Sequence, residues 1–324
     1  MSDKDTSPVV VADEAGIARA AAILEAGGLV AVPTETVYGL AARADSDEAV
    51  ARIYAAKGRP GFNPLIVHVR DAAQAARYGD LSDPVLEDIA QACWPGPLTL
   101  VTERRDSPGL AEAVTAGLPT VALRAPAHPI MRRLLESVDF PLAAPSANRS
   151  GYISPTSAAH VLASLAGRID LVLDAGPSEA GVESTILRIM PTGEWQELRP
   201  GPVDVAALYG HYHDGDLPTA QAAQAAQRIT APGQLASHYA PGKPVRLEAS
   251  EAEGDEFLIG FGRVAGDCTL SASGDVSEAA ARLYACLHEA AASSSARIAV
   301  APVPERGVGK AVNDRLRRAA TPPG

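Results

Sequence analysis

The chain has 324 residues, 47% hydrophobic and 21% charged, enough for two domains with packed cores and unlike a disordered or fibrous protein. No apolar run approaches the roughly 18 residues of a membrane helix, and the acidic start MSDKDTSP argues against a secretory signal. Net charge is −11, and Met1–Tyr209 alone carries 17 basic and 26 acidic residues, which makes the chain a poor general binder of phosphate backbones, so any polyanion must be held by a few placed cations.

In chain order, strand-like and helix-like signals alternate through the first two thirds. Gly28–Pro33 is a short apolar run followed by the polar loop Thr34-Glu35-Thr36. From Asp47 to Ala56, Val50, Ile53 and Tyr54 recur at helical spacing, acids fill the first turn, and Lys57-Gly58-Arg59-Pro60 terminates the helix. Leu65–Val69 is a β-branched run, and Asp83-Pro84 reads as an N-cap and first-turn proline of a helix reaching Cys93. Thr120–Leu123, Pro141–Ala144, Ile169–Asp174 and Ser184–Ile189 read as strands and Thr156–Leu165 as a helix. These elements predict one α/β domain with a mixed sheet over residues 1–209.

Around Asp216–Gly242 the sequence turns rich in Ala, Gln and Pro, which predicts a linker over 210–243. Beyond it, Pro244–Leu247, Phe257–Phe261 and Ile298–Ala301 read as strands, and Ser277–Ala292 as a helix with Ala280, Leu283, Leu287 and Ala291 on one stripe. A smaller α/β domain is therefore expected over 244–324. The three cysteines, Cys93, Cys268 and Cys286, make no CxxC pair and no disulfide framework. They are expected to be plain core packing in a reducing cytoplasm.

Several common motifs fail on context. Gly260, Gly262 and Ala265 give G-x-G-x-x-A after a strand, but polar, turn-like residues follow where a dinucleotide site needs a helix. Gly307–Lys310 lacks the first glycine and the closing hydroxyl of a P-loop. HExxH and GxSxG are absent, His211 and His213 are read as solvated loop residues, and scattered histidines predict no dedicated metal site.

Polar residues just after apolar strands are more informative, because ligands in α/β sheets bind beyond the carboxyl ends of strands. Thr34–Thr36, His68, Arg124 and Ser146-Ala147-Asn148 all stand there. Lys57 and Arg59, one residue apart around a glycine, could clamp a phosphate chain or could simply complement the helix dipole. Arg124 could fork onto a carboxylate or make a structural ion pair; His68 could be a core histidine; Ser146 and Asn148 could be loop caps.

Taken in order, PTETVYGL (33–40), KGRPGFNPLIVHV (57–69), WPGPLTLV (94–101), TVALRAPAHP (120–129), APSANRSG (144–151), GVESTI (181–186) and LRPGPV (198–203) resemble the threonylcarbamoyl-AMP synthase family, whose catalytic part is the YrdC-like domain. SHYAPGKP (237–244) and PERGVGKAVNDRLRRA (304–319) resemble the linker and the end of its long, two-domain form. The resemblance implies a twisted mixed sheet with flanking helices, plus a smaller Rossmann-like carboxyl-terminal domain. It implies a reaction of ATP, L-threonine and bicarbonate giving threonylcarbamoyl-AMP and pyrophosphate, and a product passed to the machinery that modifies tRNA. By motif position it implies catalytic roles for Lys57, Arg59, Ser146 and Asn148. Arg59, Asn63, Thr120, Ser146, Ser154, Arg199 and Tyr239 would line ATP, Tyr239 as part of a linker lid. Thr36, His68, Arg124, Ala144 and Ser184 would hold threonine. Mg²⁺ is expected on the triphosphate rather than in a protein cage. Two rivals stand beside this reading. One is a double-stranded RNA-binding module, disfavoured by the acidic charge although a weak RNA contact stays compatible. The other is carbamoyl transfer as in hydrogenase maturation, which would need acylphosphatase-like or zinc-finger-like segments that this sequence does not carry.

Overall fold

The computed structural model describes residues 7–106, 109–215, 217 and 238–322. In chain order the elements are β1 (Val9–Val11), α1 (Glu14–Glu25), β2 (Val30–Val32), β3 (Gly39–Arg43), α2 (Asp47–Lys57), β4 (Ile66–His68), α3 (Ala72–Ala75), α4 (Pro84–Cys93), β5 (Leu98–Glu103), α5 (Glu112–Thr115), β6 (Thr120–Arg124), α6 (Pro129–Glu136), β7 (Leu142–Ala143), α7 (Ala158–Leu165), β8 (Leu171–Asp174), β9 (Thr185–Ile189), β10 (Trp195–Arg199) and α8 (Val205–Tyr212). After these come β11 (Val245–Arg246), β12 (Glu256–Gly260), β13 (Cys268–Thr269), α9 (Val276–Ala292), β14 (Arg297–Val300) and α10 (Gly309–Ala320).

The first ten strands form one mixed sheet in the order β1-β8-β2-β3-β7-β4-β6-β5-β9-β10. Helices cover it: Leu24, Leu134 and Leu135 pack against Val30, Leu142 and Leu171, while Val50, Ile53, Ile89 and Val161 pack with Leu40, Val67 and Leu100. Each such fully buried side chain contributes about 1.5–3 kcal/mol through lost apolar surface. The last four strands form a separate parallel sheet, β11-β14-β12-β13, with α9 and α10 packed on it.

Local rules explain most element ends. The Ser46 side chain caps α2 by accepting from Ala49 N, and Gly58 ends it with φ 59°, a left-handed turn that costs glycine least. Asp83 accepts from Val85 N and Leu86 N, with Pro84 in the first turn of α4.

Three expectations need correction. The elements read from sequence open at Gly28–Pro33 and Asp47–Ala56, which would make these the first strand and first helix, but β1 and α1 precede both. β1 is a three-residue edge strand whose Val9 and Val11 are exposed, and α1 is so alanine-rich that its apolar stripe is faint in sequence. His211 is not in a loop but in the last turn of α8, although it is solvent-exposed. Cys268 and Cys286 are not plain packing: the seating of α9 on β13 pairs them as a disulfide, Cα–Cα 6.0 Å, while Cys93 stays free. Spacing could not show that pair, because it depends on a helix lying across a strand. The glycines of Phe257–Ala265 do form a turn, closed by Val264 N donating to Phe261 O. Much of the expected linker, residues 216 and 218–237, lies outside the described residues.

Candidate active site

One concave site collects residues from nearly every motif of the large sheet. Its wall includes Thr34, Thr36, Arg59, His68, Arg124, Ala144, Ser146, Glu183, Ser184, Arg199, His238 and Tyr239, with Val37 and Ile66 as apolar patches. The enclosed volume is about 50 Å³.

Strand register builds one side. β4 and β6 run parallel with His68 opposite Arg124, so the two side chains emerge together at the strand ends. Arg124 is spread over three partners. Its Nε donates to Gly96 O (3.2 Å), Nη1 to Thr36 Oγ1 (3.1 Å) and Nη2 to Glu35 Oε1 (2.6 Å). Burial alone would raise the Glu35 carboxyl, but the charge and hydrogen bond of Arg124 outweigh it and hold the group ionised below the usual carboxylate range. His68 is pushed down to about 3, first by burial and then by Arg124, so its ring is neutral. A neutral imidazole with a guanidinium fork is suited to a zwitterion's carboxylate.

A second side is made by the α2 terminus and the Ala144–Asn148 loop. The left-handed Gly58 turns the chain so that Arg59 N donates to Tyr54 O and the Arg59 side chain enters the site. Asn63 fixes that guanidinium, its Oδ1 accepting from Nη2 at 2.6 Å. Gly39 lets β3 approach the Ala144–Ser146 segment, since a Cβ there would sit 3.2 Å from the Ala144 methyl. Lys57 behaves differently from its neighbour. It is 3% exposed, and its Nζ donates to the carbonyls of Ser146 and Asn148 and, at 3.5 Å, to Asn148 Oδ1. Burial and then the nearby Arg59 push its amine well below the ordinary value.

The third side is formed by β9 and β10. A register shift in β10 between Glu197 and Arg199 re-aims Arg199 inward. Its Nε donates to Ser184 O and its Nη2 to Ser184 Oγ, both at 3.0 Å. Glu183, the residue before, accepts from Ser154 Oγ at 2.6 Å and is held at about 2, the burial penalty being outweighed by Arg315 and Arg199. His238 and Tyr239 close the site; Tyr239 is 1% exposed and has φ 63°.

Of the residues singled out in the sequence, Arg59, Ser146, Arg199, Tyr239, Thr36, His68, Arg124, Ala144 and Ser184 therefore converge on the cavity. Lys57, Asn63, Asn148 and Ser154 stand behind it and hold wall residues or their loops in place. Thr120 is not brought to this wall: it opens β6 opposite Glu103, about 13 Å of strand from Arg124. Sequence reasoning missed Glu183 and His238, and gave Glu35 no role beyond its place in the Thr34–Thr36 loop. The available signal was a lone acid or histidine amid hydroxyls and apolar residues in PTETV, GVEST and SHYAP. Asn63 Nδ2, His68 Nδ1 and His238 Nδ1 are buried without a protein partner, which fits polar groups kept for a ligand or water. Among the described residues no group of three or more acidic, histidine or cysteine side chains is arranged to hold a metal, and no helix is long and apolar enough to cross a membrane.

Comparison with known proteins gives a consistent result. Residues 22–201 match the family model described as telomere recombination, and residues 203–321 match that of the threonylcarbamoyl-AMP synthase C-terminal domain. The chain is 37% identical to the threonylcarbamoyl-AMP synthase of Bacillus subtilis, covering 98% of this chain and 96% of that one. It is also 37% identical to the Pyrococcus abyssi enzyme of the same name, over 95% of both. The crystal structure of Sua5 from P. abyssi complexed with L-threonine superposes with a TM-score of 0.86 at 35% identity, covering 97% of each chain. Full-length HypF, at 24% identity and a TM-score of 0.51, shares only the fold over 57% of this chain.

Proposed function

The chain belongs to the threonylcarbamoyl-AMP synthase family, and from that premise we propose how its own residues carry the reaction from ATP, L-threonine and bicarbonate to threonylcarbamoyl-AMP and pyrophosphate. The observation that carries the reading is the convergence of Arg59, Arg124 and Arg199 with the hydroxyls of Thr36, Ser146 and Ser184 on one cavity. Three guanidiniums suit a carboxylate, a carbamate and a phosphate chain.

Arg124 forks onto the threonine carboxylate, with Thr36 and His68 beside it. The free amine attacks bicarbonate carbon; a C–N bond forms, water leaves, and a carbamate results. A carbamate oxygen then attacks the α-phosphorus of ATP, and the bond to the β-phosphate oxygen breaks to release pyrophosphate. Arg59 and Arg199 neutralise charge that grows on the phosphates, and Ser146 and Ser184 orient the reacting groups. No protein nucleophile is needed, so catalysis is positioning and electrostatic stabilisation. The wall carboxylate Glu183 is already engaged by Arg315 and Tyr284, and Glu35, behind the wall, by Arg124. That donor set fits Mg²⁺ carried on the triphosphate by phosphate oxygens and water, where it would supply charge neutralisation. The product is a reactive mixed anhydride, consumed by a transferase that acts on tRNA.

A volume of about 50 Å³ is below the roughly 300–1,000 Å³ of ligand sites, so His238 and Tyr239 must move for ATP to enter. Their return would exclude water from the adenylate. The test is direct. With ATP, bicarbonate, threonine and Mg²⁺ the protein should release pyrophosphate, and omission of threonine or of bicarbonate should each abolish it. Release that ignores threonine refutes this reading.

A further inference from the structure

The small domain reaches into the wall of the site through a buried ion pair. Arg315 of α10 has no exposed side-chain surface, and its Nε donates to Glu183 Oε2 at 3.1 Å. Its Nη1 donates to Pro200 O at 2.7 Å, the carbonyl next to Arg199. Tyr284 of α9 donates its hydroxyl to the same carboxylate, 2.9 Å from Oε2. The Glu183 oxygens therefore receive Ser154 from the large domain and Arg315 and Tyr284 from the small one. Arg315 also lies over the Tyr239 ring at 5.7 Å, and Tyr239 packs on Tyr284 with centroids 5.6 Å apart.

Packing says the same. Val37 and Val182 of the large domain belong to the apolar cluster centred on Leu283, Leu287 and Val312 of the small one. Gly181, at φ 70°, lets the Glu183 loop lie directly on the α9 backbone, where a Cβ would collide with the Ala280 carbonyl and the Ala281 Cα. The small domain thus packs directly on Tyr239, meets the Ser154 carbonyl through His288 Nε2 at 3.2 Å, and reaches the Ser154 hydroxyl and Arg199 through Glu183 and Pro200, three groups on the nucleotide side of the reading above.

We propose that Arg315, assisted by Tyr284, is a positioning residue for the nucleotide: it fixes Glu183 and the Pro200 carbonyl, and through them sets Ser154, Arg199 and Tyr239. This rests on the assignment of that side to ATP. Removing one partner of a buried pair leaves an uncompensated charge, so the effects of the two substitutions must be strongly non-additive.

The experiment is pyrophosphate release with ATP and threonine varied separately, in the full chain, with thermal unfolding followed in parallel. Arg315→Met should raise the KM for ATP about tenfold or more while the KM for threonine stays within about twofold. The double variant Glu183→Gln/Arg315→Met should be no worse than Glu183→Gln alone. Tyr284→Phe, which keeps the packing, should raise the ATP KM by about threefold and carries the test if Arg315→Met does not fold. A lowered unfolding temperature with both KM values unchanged, or additive effects in the double variant, overturns the proposal. An inactive wild-type chain overturns instead the reading on which it rests.

Discussion

Two buried ion pairs face the same cavity and are built differently. Arg124–Glu35 joins β6 to the loop after β2, inside the large domain, with side chains 4% and 13% exposed. Arg315–Glu183 joins α10 to the loop before β9, across the domain boundary, with 0% and 8% exposed. Both carboxylates are held ionised, since in each the neighbouring arginine outweighs the burial penalty. The first pair can be preserved by local strand register; the second exists only when the two sheets are docked. On the reading proposed above, the threonine side would be a property of one domain and the nucleotide side a property of two.

The sharpest way to break this picture is at Arg59, which belongs to neither pair. Arg59→Ala should lower adenylate formation by about 100-fold or more, with a modest fall in the unfolding midpoint, because Asn63 Oδ1 and Pro64 O lose their donor while Asn63 O keeps the Tyr54 hydroxyl. Lys57→Ala should also lose activity but through structure, because its ammonium ties the Ser146 and Asn148 carbonyls together. Unpaired carbonyls in that buried place cost about 1–3 kcal/mol each, so its unfolding midpoint should fall clearly. Equal stability of the two variants would contradict the division of labour between them.

Acid should attack both sides. Burial holds His68 and His238 at about 3 and His288 at about 4, well under the ordinary value near 6.5. Below about 6.5 these groups are protonated in the unfolded chain and still neutral in the folded one, so stability is lost progressively as pH falls from about 6.5 to about 4 for His288 and to about 3 for His68 and His238. Near pH 5 unfolding should take up about three protons from these residues. Glu183 adds a later loss, from about 4.3 down toward its folded value of about 2. Denaturant midpoints measured from pH 7.5 to 5 check this, and His288→Phe should remove one of the three protons.

Arg124→Lys and Gly181→Ala should separate the two sides. A lysine cannot span Gly96, Thr36 and Glu35 while presenting a fork, so the KM for threonine should rise about tenfold with that for ATP unchanged. Gly181→Ala would push α9 off the Glu183 loop, so the ATP KM should rise by about the same factor with threonine unaffected. The opposite pattern would mean that the two ends of the cavity are assigned the wrong way round.

How much of this was legible in sequence follows the same division. The α2 spacing and terminator, the β4 and β6 runs and the Asp83-Pro84 helix start are short-range signals, and each appears within a residue or two of its expected place. His68 beside Arg124 and Ser146 beside Gly39 depend on strand order, which is set by the tertiary fold; the motif resemblance implied only that His68 and Arg124 serve one substrate. Glu183 with Arg315, 132 positions apart, has no local signature. Cys268 with Cys286 fails for the same reason, because α9 must first lie across β13. Motif position gave Lys57 a catalytic role and no hint of a fastener, since spacing cannot say that two carbonyls will engage its Nζ.

The smallest effect concerns the amino acid itself. Val37, Ile66 and the Ala144 methyl form the apolar part of the wall near Thr36 and Arg124. A threonine held by its carboxylate at Arg124 can place its methyl on that patch, whereas serine leaves the patch without a partner. One methyl in an apolar pocket is worth about 1–3 kcal/mol, or roughly 10- to 200-fold in kcat/KM, and the low end is expected where the wall is partly polar. Serine should therefore support pyrophosphate release about tenfold less efficiently than threonine, with the ATP KM unchanged. If Val37→Ala narrows that ratio in the large domain while Tyr284→Phe in the small domain leaves it untouched, the amino acid is read by the large domain alone, as the first ion pair implies.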